Sequence, residues 1–159
     1  MSDPVIQTFA EEFDRFHGLL GKLIDACPDN LWTDNTGNLP FWVHLLHAIG
    51  SVERYAAPFD APKQQIFFPH EVTIFKARPD RVMSKDEMRS LAKAMEKVAY
   101  DFFATQSAAT LTQKNETMSR SLGKDRTNLD ALIALARHPN YHLGCCDTVL
   151  RANGLPGVY

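Results

Sequence analysis

Histidine is the residue in this 159-residue chain whose number and spacing point most directly to chemistry. Six histidines are present, and His138 and His142 stand four residues apart near the C-terminal end. In a helix this spacing places both imidazoles on one face, with their Cβ atoms about 6 Å apart. Such a pair can chelate one metal ion at nitrogen–metal distances of about 2.0–2.1 Å. A pair at this spacing also arises by chance in a chain with six histidines, so the pair alone is weak evidence for a site.

A second pair of histidines, His44 and His47, supplies candidates for a third ligand. At about 100° per residue, both lie off the main apolar stripe of their segment. Gly50 and Ser51 leave room beside them. Either histidine could complete a three-histidine site with the C-terminal pair, because helical bundles build metal sites between facing helices. A buried histidine here could equally hydrogen-bond a backbone carbonyl and bind nothing.

Other residues with chemical potential have ordinary structural explanations. They are two further histidines, two cysteines and two carboxylates: His17, His70, Cys145, Cys146, Glu53 and Asp147. The two histidines are interpreted as structural or solvated. Cys146 follows His142 by four residues and could be a soft fourth ligand, whereas small buried cysteines usually pack. Cys145 could be a reactive thiol beside a metal. The carboxylates could orient a ligand histidine, but solvated helix positions explain them equally well.

Four long segments with helical periodicity must position these residues. They cover residues 4–26, 40–57, 84–106 and 127–152. Ser84 and Glu87 have the spacing of a capping box, and Asn153-Gly154 is a typical helix stop. No segment has the pattern of a convincing strand. The sequence therefore predicts an all-α fold, an antiparallel four-helix bundle, as a single domain over residues 1–159.

The apolar stripes predict which side chains face the core. In the first helix the stripe is Val5, Phe9, Phe13, Phe16, Leu20 and Leu23 or Ile24. In the third helix it is Met88, Leu91, Met95, Val98 and Phe102. The second helix is apolar on more than one side and is expected to be buried on more than one face. Tyr100 and Phe103 cannot both share the stripe of the third helix, so at least one should cover a second subunit or the long loop.

The connections contain two further features. Residues 58–83, between the second and third helices, hold four prolines and the apolar run Ile66-Phe67-Phe68. A loop this long is either a functional lid or wall, or a crossing over the end of the bundle. Residues 29–39 are predicted to be a loop, and residues 110–126 are polar with room for one short helix. Pro139 cannot donate the usual helical hydrogen bond, so the last helix either kinks near Leu135 or breaks and restarts, which would move His138.

Composition excludes several classes of function. The chain has 17 Lys plus Arg against 19 Asp plus Glu, a net charge of −2, and these charges are well mixed. Nucleic acid is an unexpected partner because no basic footprint is present. No window approaches the roughly 18 apolar residues of a membrane span, and no signal peptide is recognisable. Three cysteines, two of them adjacent, predict reduced thiols and a cytoplasmic location.

The histidine segments resemble those of the DinB/YfiT-like family of metal-dependent proteins. That family has one histidine in its second helix and a His-x-x-x-His pair in its last helix, followed by an aliphatic-Arg-x-x-Gly tail. The corresponding segments here are Phe41-Trp42-Val43-His44-Leu45-Leu46-His47-Ala48, Arg137-His138-Pro139-Asn140-Tyr141-His142-Leu143-Gly144 and Leu150-Arg151-Ala152-Asn153-Gly154. The aromatic residues Phe41 and Trp42 at the start of the second-helix segment and the Glu53-Arg54-Tyr55 that follows it make His47 the better match to the family's second-helix ligand. His44 is the alternative.

The resemblance implies a metal site and a class of reaction. It implies that His47, His138 and His142 hold one divalent ion, zinc or nickel, in a four-helix bundle that forms homodimers. Relatives include thiol S-transferases, so a low-molecular-weight thiol cosubstrate and a small-molecule substrate are expected. Metal-assisted hydrolysis is the second enzymatic option, because three histidines leave a coordination position open. A non-catalytic metal-binding or stress-response bundle is the alternative.

Overall fold

The chain folds into helices whose buried faces repeat every three to four residues. The computed structural model describes residues 3–34, 39–62 and 67–159. These ranges contain seven helices and no strand beyond one isolated bridge between Lys114 and Thr127, which confirms the all-α prediction. In chain order the helices are α1 (Pro4–Ala26), α2 (Asp29–Trp32), α3 (Phe41–Ala56), α4 (His70–Thr73), α5 (Lys85–Ala104), α6 (Glu116–Leu122) and α7 (Asn128–Ala152).

The four long helices α1, α3, α5 and α7 lie where the periodicity predicts them, and each begins and ends within two residues of the predicted bounds. The predicted capping box opens α5, since the Glu87 N–H donates to Ser84 Oγ and the Ser84 N–H donates to the Glu87 carboxylate. Thr127 and Asp130 form a second capping box at the start of α7. These local hydrogen bonds satisfy N–H groups that the first helical turn leaves free.

The packing of α3 decides where the histidines of the chain can meet. α3 packs against both α5 and α7, and α1 packs against the same two helices. Every residue of α3 except Arg54 is buried, so the prediction of burial on more than one face is confirmed. A helix surrounded in this way carries its polar side chains into the interior. His44 and His47 therefore lie in the core, on the helix that packs against α7.

The buried stripe of α1 begins one residue later than predicted. Ile6 is 1% exposed, whereas Val5 is 45% exposed. At about 100° per residue, Ile6 lies about 20° from Phe13 around the helix axis and Val5 about 80° from it. The fully buried Phe13 therefore shares a face with Ile6 and not with Val5.

The stripe of α5 differs from the prediction near its C-terminal end. Ala99 is fully buried, while Val98 is only half-buried. Of the two aromatic residues that compete for the stripe, Phe103 is buried and Tyr100 is 37% exposed. The Tyr100 hydroxyl donates a 2.6 Å hydrogen bond to the Asp14 carboxylate of α1. One of the two aromatics thus lies outside the stripe as expected, and its hydroxyl contacts α1.

The connections contain three short helices. α2 lies in a segment predicted to be a loop, and its Trp32 is buried. α4 interrupts the long connection between α3 and α5, and α6 is the short helix predicted between α5 and α7. Phe68, from the predicted apolar run, is buried against Trp42 with ring centroids 5.6 Å apart. Ile66 and the loop residues 35–38 lie outside the described residues. None of the helices described has the length and apolar character needed to cross a membrane.

Candidate metal centre

Three imidazoles from two packed helices converge in the interior. His47 lies on α3, and His138 and His142 lie on α7. One ring nitrogen of each lies within 4.8 Å of the other two, and the ring centroids are 4.7 to 5.0 Å apart. His47 and His142 are buried, and His138 is half-buried. The structure thus brings together the three histidines that the sequence analysis named.

The helix α7 presents both of its histidines together because it continues through Pro139. It spans Asn128–Ala152 with this proline inside, so the predicted break and restart is wrong. Pro139 is buried, and it lacks the N–H that would bond to the Leu135 carbonyl. A kink near Leu135 stays a prediction. Since the helix is unbroken, His138 and His142 keep their i, i+4 relation and share one face.

A backbone carbonyl orients His47. The Nδ1 atom of its ring lies 2.5 Å from the carbonyl oxygen of Thr73 in α4. A carbonyl oxygen only accepts hydrogen bonds, so Nδ1 of His47 is protonated and donates the hydrogen bond. Nε2 of the neutral ring then keeps its lone pair available for a ligand. Metal-binding histidines usually have such a partner on the nitrogen that does not bind the metal.

A fourth histidine, His44, holds His142 in a comparable way. The two Nδ1 atoms lie 3.1 Å apart, and both side chains are buried. Each neutral imidazole has one N–H, so one ring donates and the other accepts. When His142 is the donor, its own Nε2 keeps the lone pair. His44 is not in the converging group of three. It is instead the hydrogen-bond partner of one member, a role that the sequence analysis did not anticipate.

His138 shows that the cluster suits a metal ion. Its Nε2 atom is buried and has no hydrogen-bond partner in the part of the chain that the structure describes. Leaving a buried polar group unpaired costs about 1–3 kcal/mol of folding free energy. A metal ion would satisfy this nitrogen together with Nε2 of His47 and His142. Imidazole donors suit zinc, copper, iron and nickel, so the three residues fit the kind of ion that the resemblance implies.

Burial keeps these histidines neutral. Burial, reinforced by neighbouring histidines, lowers the pKa of His138 to about 4 and the pKa of His142 to about 2. It also lowers the pKa of His47 and of His44 below the usual value. Neutral imidazole is the form that binds metals. At neutral pH, protons therefore compete little with a metal ion for this site.

An aromatic ring in an unusual backbone conformation covers His47. The Phe75 ring stacks on the imidazole, with centroids 4.1 Å apart and planes 26° apart. Phe75 has a φ of 62°, in the left-handed region. Its N–H bonds to the Val72 carbonyl and the Lys76 N–H bonds to the Glu71 carbonyl, which is the Schellman pattern at a helix end. Glycine usually occupies this position, because a side chain there costs about 1–2 kcal/mol. Such outliers cluster at functional sites.

The short helix α4 and the turn that ends it supply two parts of the site that could not be predicted from the sequence. The Thr73 carbonyl and the Phe75 ring both come from the long connection, 26 or more residues beyond His47. No local pattern signals either of them, since any residue has a carbonyl and glycine would be expected where Phe75 lies. The nearest signal was the length of the connection, which favours a lid or wall.

The remaining histidines lie outside the cluster, as expected. His17 lies between α1 and α5, where it stacks on Phe13 and its Nε2 donates to the Ala92 carbonyl at 3.0 Å. Burial lowers its pKa as well. His70 is exposed at the start of α4. Neither belongs to the converging group of three.

The cysteine and carboxylate candidates have structural roles or lie elsewhere. Cys146 is buried with its thiol 3.8 Å from the Phe41 carbonyl, and burial raises its pKa well above the usual value. It is not in the converging group. Asp147 accepts hydrogen bonds from Arg151 and from the backbone N–H of Val158, so it anchors the C-terminal segment. Glu53 is buried in α3.

The contacts of the histidine cluster come from α3, α4 and α7. Two helices and a short loop helix supply three converging imidazoles, two oriented rings and one buried nitrogen without a described partner. No protein-family model matches the chain, and no curated protein matches it either.

Proposed function

We propose that this chain is a DinB/YfiT-like four-helix bundle that binds one divalent metal ion, zinc or nickel, through His47, His138 and His142. The observation that carries the proposal is the convergence of three ring nitrogens within 4.8 Å of one another. Metal-bound imidazoles lie closer together, at about 3.3–3.5 Å for a tetrahedral ion with bonds of 2.0–2.1 Å. We expect the three side chains to close by this small amount when an ion binds.

The packing of the long helices supports the bundle and family assignment. α1 and α3 each pack against both α5 and α7, as expected when four helices surround one core. The three histidines come from two helices that pack against each other, which is where bundle proteins build metal sites. The matching segments around His47 and around His138 and His142 support the same family.

The donor set favours a catalytic site over a purely structural one. Structural zinc sites use four protein ligands, whereas three leave a position open for water or substrate. A divalent ion held there would lower the pKa of a bound thiol or water molecule and so supply a nucleophile. The chain itself holds the ligand rings in place through Thr73 and His44, and Phe75 shields one face of His47 from water. We infer a thiol S-transferase acting on a small molecule, or a metal-assisted hydrolase.

A second candidate is a metal-binding bundle without turnover. The stacked Phe75 ring favours it, because the ring covers His47 and restricts access to the cluster. The lowered pKa values of the histidines also leave none of them charged as a proton donor at neutral pH. Such a protein would bind the metal ion but catalyse no reaction.

Metal uptake by the purified chain tests the proposal. We expect metal-free protein to take up one zinc or nickel ion per chain, because three neutral and largely pre-oriented imidazoles are already assembled. Isothermal titration calorimetry and elemental analysis after dialysis measure the stoichiometry. Calcium serves as the control, since it prefers oxygen ligands and should not bind here. A chain that takes up no zinc, nickel or other imidazole-preferring metal contradicts the proposal.

A thiol-conjugation screen then separates the enzyme from the binder. Metal-loaded protein is incubated with several small thiols and an electrophile, and loss of free thiol is compared with the same protein after chelation. Turnover that disappears on chelation and returns on reloading supports the transferase. Stoichiometric metal without turnover of thiol or of hydrolysable esters favours the non-catalytic alternative.

We also propose that the chain forms a homodimer, mainly from the family resemblance. The surface offers support, since Ile133 and Tyr141 are 42% and 69% exposed on α7. Light scattering at micromolar concentration should give twice the 17.9 kDa mass of one chain. Ile133→Asp should shift the mass toward that of the monomer, whereas Leu122→Asp, at another exposed apolar position, should not. A wild-type mass of one chain contradicts the dimer.

A further inference from the structure

A cavity of about 880 Å³ lies beside the candidate metal centre. Its floor contains the buried side chains of Val43 and Val72, and its rim contains exposed residues that follow α4. The lining is apolar on the side of α3 and carries two cationic side chains, Lys76 and Arg78, on the side of the long connection. The volume is in the range of pockets that hold small molecules, about 300–1,000 Å³.

Three of the lining residues connect the cavity to the histidine cluster. Val43 lies one helical turn before His47 on α3. Val72 directly precedes Thr73, whose carbonyl accepts the hydrogen bond from His47. Phe75 lines the cavity and also stacks on the His47 imidazole. The Phe75 ring is therefore a wall shared by the cavity and the cluster.

The two cations of the cavity are not engaged by carboxylates. Neither Lys76 nor Arg78 forms a salt bridge with any described residue. Every Asp and Glu of the chain lies within the described ranges, and none lines the cavity. Most exposed basic residues elsewhere in α5 to α7 do have acidic partners, such as Lys97 with Asp101. A cavity with two unpaired cations and an apolar floor is complementary to an anion that has an apolar body.

We propose that this cavity binds a small organic anion with an apolar body, its charged group at Lys76 and Arg78 and its apolar part on Val43 and Val72. This inference rests on the proposed function in one respect only: it takes the bound molecule to be the substrate of the metal centre. Phe75 lies between the two, because its ring lines the cavity and also stacks on His47. Lys76 and Arg78 are then specificity-determining residues, selecting anionic over neutral molecules.

Binding of a charged and a neutral probe to the metal-free protein tests the proposal. The probes are 4-phenylbutyrate and its neutral amide, 4-phenylbutyramide, with affinities measured by calorimetry or ligand-observed NMR. Wild-type protein should prefer the carboxylate by about tenfold, the ratio that one charge-assisted hydrogen bond supplies. In Lys76→Gln/Arg78→Gln this preference should disappear while the amide binds as before. Lys22→Gln/Lys124→Gln, which removes the same net charge from exposed positions elsewhere, should keep it.

A second pair of variants, Ala77→Glu and Ala77→Gln, leaves Lys76 and Arg78 in place, and only the first of them adds a negative charge to the cavity. Ala77 lines the cavity and is exposed, so substitutions there should not disturb folding. Ala77→Glu should weaken the carboxylate severalfold relative to Ala77→Gln, which has the same shape and no charge. Equal affinity of wild-type protein for both probes, or a preference that survives in Lys76→Gln/Arg78→Gln, overturns the proposal. Because no metal is present, failure of metal uptake would leave this result unchanged, and the two proposals fail separately.

Discussion

His142→Ala should abolish stoichiometric metal binding by this protein. His142 is the central member of the cluster, with its ring in contact with those of His47 and His138 and hydrogen-bonded to His44. Structural zinc sites with four ligands are stabilised by about 10–16 kcal/mol, so an even share for one ligand is about 2.5–4 kcal/mol. We therefore expect affinity to fall by at least about 100-fold, as measured by calorimetry with zinc or nickel.

Two further histidine variants make this prediction specific. His17→Ala removes a histidine that is also largely buried but lies between α1 and α5, so metal affinity should not change. His44→Ala removes the hydrogen-bond partner of His142 and should cost about 10- to 100-fold, as is typical of residues that orient a ligand. If His44→Ala abolished binding and His47→Ala did not, His44 would be the ligand from α3 and our assignment would be wrong.

Phe103→Ala should destabilise the fold by about 3–5 kcal/mol, the range for truncating a buried phenylalanine. Phe103 is 1% exposed and packs edge-on against Phe13, with ring centroids 5.6 Å apart. The substitution would leave a cavity where α1 meets α5. Chemical denaturation at neutral pH, followed by circular dichroism, measures the free energy of unfolding. Metal should be removed first, because a bound ion adds its own stabilisation.

Tyr100 provides the matched control three residues earlier on the same helix. Tyr100 is 37% exposed, and its hydroxyl donates to Asp14. Tyr100→Phe removes only this hydrogen bond, which is partly exposed to water, and should cost at most about 1.5 kcal/mol. If the free energy of unfolding fell strongly in Tyr100→Phe and only slightly in Phe103→Ala, the two aromatics would have been assigned to the wrong sides of α5.

The sequence by itself determined the four long helices and their ends. The three-to-four-residue spacing of apolar side chains located α1, α3, α5 and α7 to within two residues. Ser84 and Glu87 marked the start of α5, and the capping box that they predict is present. These features depend on contacts between residues at most four positions apart, so they can be predicted from a short segment of the sequence.

The sequence also identified the candidate ligands, but partly by resemblance. The i, i+4 spacing of His138 and His142 is local and needed only a continuous helix. The choice of His47 over His44 is not local, because both lie on α3 three residues apart and both are buried. Spacing alone does not decide which of the two is the ligand. The packing of α3 on α7 places His47 in the converging group and His44 in a hydrogen bond with His142.

Only the tertiary structure revealed how the site is oriented and covered. The Thr73 carbonyl and the Phe75 ring reach His47 from a separate segment of the chain, and neither residue type marks such a role. The same is true of Tyr100 and Phe103, where the rotation of α5 against α1 decides which ring is buried. Helix formation depends on neighbours along the chain, whereas the relative rotation of packed helices and the path of a loop depend on side chains from several elements at once.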